Sequence, residues 1–268
     1  MQLPLSTAAA ARLVVLDRVG STNTELIARA TAALEPEFSV LATADQTAGR
    51  GRLGREWVAP PGATLAVSVL LRPVLPAGEP LGLEHYGWLP LIAGLSMTSA
   101  VASVLPEPTR PRVGLKWPND VLIGGLKAGG ILTELLPDHA AVVVGSGVNL
   151  AMTAEQLPTP TSTSLSLAGA TLSGDDLADA VLSRYLELLR EYYGDFVRHG
   201  ADPTELLGLL DEQCTTLGQQ VRVELPGGDT IVGTATGIDG TGRLQVRRSS
   251  DGRSLAVAAG DVTHLRYE

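Results

Sequence analysis

The chain has 268 residues, 44% hydrophobic and 18% charged, with a net charge of −9; this excludes a disordered chain and a broadly basic nucleic-acid-binding surface. Its single cysteine, Cys214, excludes an intrachain disulfide and a cysteine-based metal cluster. No stretch approaches the ~18 uninterrupted apolar residues of a spanning helix, and no basic region precedes the N-terminal alanine run, so a soluble cytoplasmic protein without a membrane partner is expected.

Residues 12–19 (RLVVLDRV) read as a strand, and Ser21-Thr22-Asn23-Thr24 offers a helix N-cap with Glu25 in the first turn. ELIARATAAL (25–34) fits a helix and FSVLATA (38–44) a buried strand. Residues 45–63 are rich in Gly, Arg and Pro without apolar periodicity and are expected to form a long loop. TLAVSVLLRP (64–73) reads as a strand halted by Pro73, and residues 89–105, apolar on all sides, as a buried helix. Three segments follow, VGLKWPND (113–120), VLIGG (121–125) and LKAGGILTELL (126–136), with a hairpin signal at Gly124-Gly125. AVVVGSGVNL (141–150) is another β-rich run, and residues 153–164 form a Thr/Pro/Ser-rich connector without a core of its own.

Ser173 is the expected N-cap of a helix with Asp175 and Asp176 in its first turn. Leu177, Val181, Tyr185, Leu188, Tyr192 and Phe196 recur along it at helical spacing and read as core. Asp202, Pro203 at the first helical position and Glu205 mark a second helix. From Leu217 onward, short alternating strands separated by Gly-Gly and Asp-Gly turns predict an all-β barrel of about 50 residues. The expected organisation is a mixed α/β domain over residues 1–214 and a small barrel over 215–268.

Three segments carry chemistry. Gly49-Arg50-Gly51-Arg52-Leu53-Gly54 matches G-x-G-x-x-G, but Pro60 and Pro61 follow instead of a helix, which rejects a dinucleotide fingerprint. Arg50, Arg52 and Arg55 put three positive charges in one glycine-rich loop, as a lid closing on a phosphate or carboxylate requires, or as a solvated basic loop also shows. Lys116-Trp117-Pro118-Asn119-Asp120 is followed by Lys127 in an otherwise apolar strand, where a lysine either snorkels at an edge or meets an anion. Asn119 and Asp120 suit an Asx turn or contacts to a ribose, a metal ion or the lysine. Gly145-Ser146-Gly147-Val148-Asn149-Leu150 permits close backbone approach, with Asn149 able to donate and accept at once, or forms a plain turn.

Taken in order, these segments resemble the biotin–protein ligase family over nearly the whole chain. ADQTAGRGRLGREW (44–57) resembles the family's biotin and adenylate loop, KWPNDVLIGGLKAGGIL (116–132) its catalytic stretch, and GSGVNL (145–150) its nucleotide-binding turn. Ser21-Thr22-Asn23 matches its early biotin-contacting triplet. Two departures stand out: Leu53 occupies a position where a basic residue is common, and Lys-Ala-Gly-Gly replaces Lys-Leu-Ala-Gly.

The resemblance implies an α+β fold, with a class II synthetase-like mixed sheet flanked by helices and an SH3-like C-terminal barrel. It implies an enzyme that activates biotin with ATP to biotinyl-5′-AMP and transfers it to a lysine of a biotin carboxyl carrier domain. Lys127, Arg50, Arg52 and Asp120 are the implied catalytic groups. Ser21, Thr22, Asn23, Gln46, Arg50, Gly51, Arg52, Lys127 and Gly130 would contact biotin. Arg52, Arg55, Trp57, Asn119, Asp120, Lys127 and Asn149 would contact ATP, with Mg²⁺ on the triphosphate and no protein metal ligand. With about twenty residues before Ser21, a helix-turn-helix domain and DNA binding are not expected. A lipoate or octanoate transferring enzyme of the same fold and a non-catalytic biotin sensor remain the alternatives. Monomer and homodimer both stay open.

Overall fold

The apolar runs assemble into a seven-stranded and a five-stranded sheet in a computed structural model that describes residues 1–32, 35–225 and 227–265. Residues 33–34 of the expected first helix and 266–268 of the expected last strand lie outside the described residues. The larger sheet contains β1 (Arg12–Leu16), β2 (Ser39–Thr43), β5 (Thr64–Leu71), β6 (Val113–Lys116), β7 (Asp120–Ile123), β8 (Leu126–Leu135) and β9 (Val142–Asn149). Its order is β1-β2-β5-β9-β8-β7-β6. Only the β1–β2 pair is parallel, so the sheet is mixed as expected. Gly124 and Gly125, with φ of 59° and 82°, make the β7–β8 turn that the glycine pair predicts.

Helices α1 (Pro4–Ala9), α2 (Thr22–Ala32), α3 (Trp88–Ser103), α4 (Gly174–Arg198) and α5 (Thr204–Gln213) accompany the larger sheet. Sequence reading did not anticipate α1, which docks on α4. Asp179, buried on α4, accepts hydrogen bonds from the Leu5 and Ser6 amides at 2.9 and 2.8 Å. The Ser6 hydroxyl donates to the same carboxylate at 2.6 Å. At the other end of α4, Asp202 accepts from the Thr204 amide at 3.0 Å; Pro203 takes the N-cap position of α5 instead of the first helical position.

Strand alternation sends each sheet face to a different fate. Leu65, Val67, Val69 and Leu71 of β5 join a large core with α3 and α4. On the opposite face Leu41, Leu70 and Val143 join a small core beneath Leu26 of α2. Helix α2 packs on β2, β5 and β9, and among the described residues no helix packs on the β8–β7 side of that face. The glycine-rich loop is more ordered than expected: β3 (Gly49–Arg50) and β4 (Glu56–Trp57) pair antiparallel around a 3-10 turn at Arg52–Gly54. Its non-glycine tip residue Leu53 has a φ of 57°.

The expected core positions of α4 need one correction. Leu177, Val181, Tyr185, Leu188 and Phe196 are buried, but Tyr193 takes the core place assigned to Tyr192, which is half-buried. At about 100° per residue, Tyr193 continues the line of Leu182 and Leu189 down the centre of the buried face, and Tyr192 falls on its flank. Tyr193 also donates to Glu37 at 2.8 Å and meets Phe38 edge-on at 5.8 Å.

The five-stranded sheet, in the order β13-β12-β11-β10-β14, is antiparallel throughout and consistent with an SH3-like barrel. Its strands are β10 (Gln220–Glu224), β11 (Thr230–Ile238), β12 (Leu244–Arg248), β13 (Ser254–Val257) and β14 (Asp261–His264). Two buried tryptophans fasten it to the larger sheet through the β11–β12 turn. Trp88 Nε1 donates to the Gly240 carbonyl at 3.0 Å, and Trp117 Nε1 to the Gly242 carbonyl at 3.2 Å. No helix among the described residues is long and apolar enough to cross a membrane.

Replacing Tyr193 by Ala should cost about 3 kcal/mol or more in urea unfolding, and Tyr192→Ala less than half as much. Equal losses would contradict the assigned helix face.

Candidate active site

The uncovered sheet face becomes a cleft because its residues are small. Strand register places Ala66, Gly147, Gly130, Asp120 and Lys116 in one row across β5, β9, β8, β7 and β6. Ser68, Gly145 and Leu132 form the next row. A Cβ on Gly145 would lie 2.2 Å from Asn23 Oδ1, and one on Gly147 2.8 Å from the Trp57 ring, so both positions require glycine. The cleft encloses a cavity of about 140 Å³.

At one end, the start of α2 supplies polar groups. Ser21 is the residue before the helix, and the Thr24 amide lies 3.4 Å from its hydroxyl. Gln46 Oε1 accepts from the Thr22 amide at 2.9 Å and the Thr22 hydroxyl at 3.2 Å, tying the loop to the helix. Asn23 is buried and hydrogen-bonded through both amide atoms. Its amide nitrogen donates to the Leu132 carbonyl and Glu134 at 3.1 and 2.8 Å, and its oxygen accepts from Ser68 at 2.6 Å. That makes Asn23 a pin joining α2 to β8 and β5.

At the other end a β-bulge sets the chemistry. Val121 pairs with Gly129 but Leu122 pairs with Lys127, leaving Ala128 as the extra residue of β8. Strict alternation would put Lys127 and Gly130 on opposite faces. The bulge sends Ala128 and Ile131 into the core and brings Lys127 to the face of Gly130, whose Cβ would sit 3.4 Å from Lys127 Nζ. Lys127 Nζ lies 2.7 Å from Asp120 Oδ1 and 5.9 Å from the Trp57 ring centroid. The buried Trp57 Nε1 has no hydrogen-bond partner among the described residues.

The loop closes the mouth. Arg50 pairs with Glu134 at 2.8 Å, and Arg55 pairs with Asp261 of the barrel. Arg52 donates to Asn119 Oδ1 at 2.8 Å and to the Gly260 carbonyl at 3.3 Å. Burial lowers the pKa of Arg52 and of Lys116, while Asp261 and Asp120 pull both back upward. Lys127, Arg50 and Arg55 are each paired with a carboxylate, which offsets the repulsion among like charges gathered at one cleft.

Of the residues named from the sequence, Ser21, Thr22, Asn23, Gln46, Arg50, Gly51, Arg52, Arg55, Trp57, Asn119, Asp120, Lys127 and Gly130 all line this one cleft. Asn149 does not. It lies buried at the far end of β9, where its amide nitrogen donates to the Thr163 carbonyl at 2.9 Å and fastens the 153–164 connector. Glu134 and Asp261 were missed; only their partnership with the loop arginines identifies them, and that is invisible in a sequence. Among the described residues no group of three or more His, Cys, Asp or Glu is arranged to hold a metal ion.

A cleft with a polar helix start at one end and a lysine–arginine cluster at the other suits an elongated ligand with an anionic group. Residues 15–149 match the biotin/lipoate A/B protein ligase family, and residues 216–265 match the biotin protein ligase C terminal domain. The chain belongs to the biotin/lipoate A/B protein ligase family. It is 38% identical over 255 residues to a biotin--[acetyl-CoA-carboxylase] ligase of Mycobacterium tuberculosis, covering 95% of this chain and 90% of that one. With the bifunctional ligase/repressor BirA of Bacillus subtilis it shares 32% identity over 216 residues, 78% of this chain and 61% of that protein. A biotin protein ligase from Aquifex aeolicus solved with biotin and ATP superposes with a TM-score of 0.72 at 27% identity, covering 96% of this chain and 100% of that one.

Gly145→Ala should displace Asn23 from its network and lower stability by about 1–3 kcal/mol. An unchanged urea midpoint would show that the network tolerates the added methyl.

Proposed function

We propose that this chain is an ATP-dependent biotin–protein ligase, which converts biotin to biotinyl-5′-adenylate and passes it to a lysine of a biotin carboxyl carrier domain. The observation that carries the reading is Lys127, turned by the bulge into the cleft beside Asp120 and the arginine loop. The names of the relatives and the ligands of the Aquifex complex point the same way. We place the catalytic domain at residues 1–214 and the barrel at 215–268, in accord with the barrel's family match at 216–265.

In the first half-reaction a biotin carboxylate oxygen bonds to the α-phosphorus of ATP, and the α–β phosphoanhydride bond breaks to release pyrophosphate. A carboxyl with a pKa near ~4 is ionised at pH 7, so the step needs charge neutralisation and alignment instead of a base. Lys127 bridges the carboxylate and the α-phosphate, Arg50 exchanges Glu134 for phosphate oxygens, and Arg52 and Arg55 turn nitrogens not held by their present partners to the phosphates. Ser21, Thr22 and Gln46 face the ureido ring; Asn23 holds the helix that presents them. Trp57 stacks on adenine. Asn119 and Asp120 lie beside the nucleotide. Mg²⁺ would enter with the ATP substrate and neutralise phosphate charge; among the described residues no group of three or more His, Cys, Asp or Glu is arranged to hold it.

In the second half-reaction the acceptor amine bonds to the acyl carbon and AMP leaves. An amine of pKa about 10.4 is almost wholly protonated at pH 7 and must lose a proton first. Asp120, released when Lys127 turns to the phosphate, is placed to accept it. ATP dependence supports a cytoplasmic location.

Lys127→Ala should lower biotin-dependent pyrophosphate–ATP exchange by about 10²–10³ or more; undiminished exchange would remove its role. Exchange driven by lipoate and not by biotin would transfer the reading to a lipoate ligase. Trp57→Ala should weaken ATP by about tenfold in calorimetry, the range of aromatic–base stacking, with biotin affinity little changed. Equal losses for both ligands would refute the stacking.

A further inference from the structure

We propose that Asp261 of the C-terminal barrel is a positioning residue for the ATP half-reaction, holding Arg55 directly and, through the neighbouring Gly260 carbonyl, Arg52 at the cleft mouth. The inference rests on the proposed ligase reading for its ligand, but its contacts are independent of it.

Asp261 begins β14, pairs in register with Glu224 of β10, and lines the cleft although it lies about 200 residues from the loop. Among the described residues it is the one carboxylate paired with Arg55. Arg52 spans the gap between the barrel and the β6–β7 turn, with one nitrogen on Gly260 and the other on Asn119. The anchor is rigid. A Cβ on Gly260 would stand 2.8 Å from Val223 Cγ1 and 2.9 Å from the Glu224 carbonyl, so the turn abuts β10 without slack. Gln46 and Arg50 tie the base of the loop to α2 and β8, but its own strands are two residues each and Leu53 at its tip is exposed. The barrel therefore supplies a fixed external tether for the two arginines assigned to phosphate.

The sign of the effect separates this role from simple repulsion. A carboxylate that only opposed the phosphates would, once neutralised, leave ATP bound more tightly. A carboxylate that positions the arginines would leave ATP bound more weakly. Asp261→Asn is expected to raise the exchange KM for ATP about fivefold, the scale of one exposed ion pair, with biotin affinity measured without ATP unchanged. Asp261→Glu should restore most of the loss. Arg55→Gln combined with Asp261→Asn should be no weaker for ATP than Arg55→Gln alone, because both changes break the same contact. An unchanged or lowered KM, additive losses in the double variant, or failure of Glu to rescue would each overturn the proposal. If the wild-type chain shows no biotin-dependent exchange, the ligase reading fails on its own, and the tether is then judged by proteolysis. Asp261→Asn should speed cleavage within residues 49–57 of the ligand-free chain at an unchanged urea midpoint, and equal cleavage rates would overturn it.

Discussion

Everything in the cleft depends on one sheet face being left both uncovered and nearly bare. Helix α2 shields only the end of that face over Leu41, Leu70 and Val143. Beyond it, a row containing Ala66, Gly147 and Gly130 offers almost no side-chain volume. Larger residues would fill the space with their own packing, as the same strands do on the opposite face. The emptiness is actively maintained. Asn23 sits against Gly145 and Trp57 against Gly147, each closer than a methyl group would allow. Small residues thus do two things at once, making room for a ligand and letting the walls close on the backbone.

The bulge at Ala128 converts that floor into a site with polarity. In a strand of period two, one extra residue reverses the facing of everything beyond it. Here it lets an apolar strand deliver a lysine to the cleft without exposing Ala128 or Ile131, both of which stay in the core. The Asp120 carboxylate across the strand then fixes where that lysine rests. The catalytic assignment and the packing of the sheet therefore rest on the same local irregularity.

Elements governed by local pattern were legible in the sequence. The buried α3, the Gly124–Gly125 turn and the short alternating strands of the barrel follow from composition and spacing, and their residues form those elements. Motif order also brought thirteen named residues to one cleft. What stayed hidden depends on contacts distant in sequence. The parallel β1–β2 pair and the strand order arise from tertiary packing, and the bulge is a matter of register with no composition signal. Tyr192 and Tyr193 are adjacent aromatics on a 25-residue helix, where only the packed face decides which one is buried. Asn149 has the chemistry of a nucleotide contact, but the connector claims its amide. Glu134 and Asp261 are ordinary carboxylates until the loop arginines are laid beside them.

That last omission changes the electrostatic picture. A strongly anionic chain does not carry a bare positive pocket; it carries cations each held by a nearby acceptor. Such pairing is what lets the ligand-free protein keep Lys127 and three arginines so close together, since like charges in a partly buried cleft repel. The Arg50–Glu134 pair at the mouth is exposed enough to contribute only about 0–1 kcal/mol, so a multiply charged phosphate chain can replace it at small cost. Arg52 is the exception. It is held by two neutral oxygens, those of Asn119 and Gly260, with no carboxylate among the described residues in direct contact, and burial works against its charge more than Asp261 and Asp120 support it. Of the loop cations it is the least compensated, and an incoming anion that reaches it need displace no counter-ion.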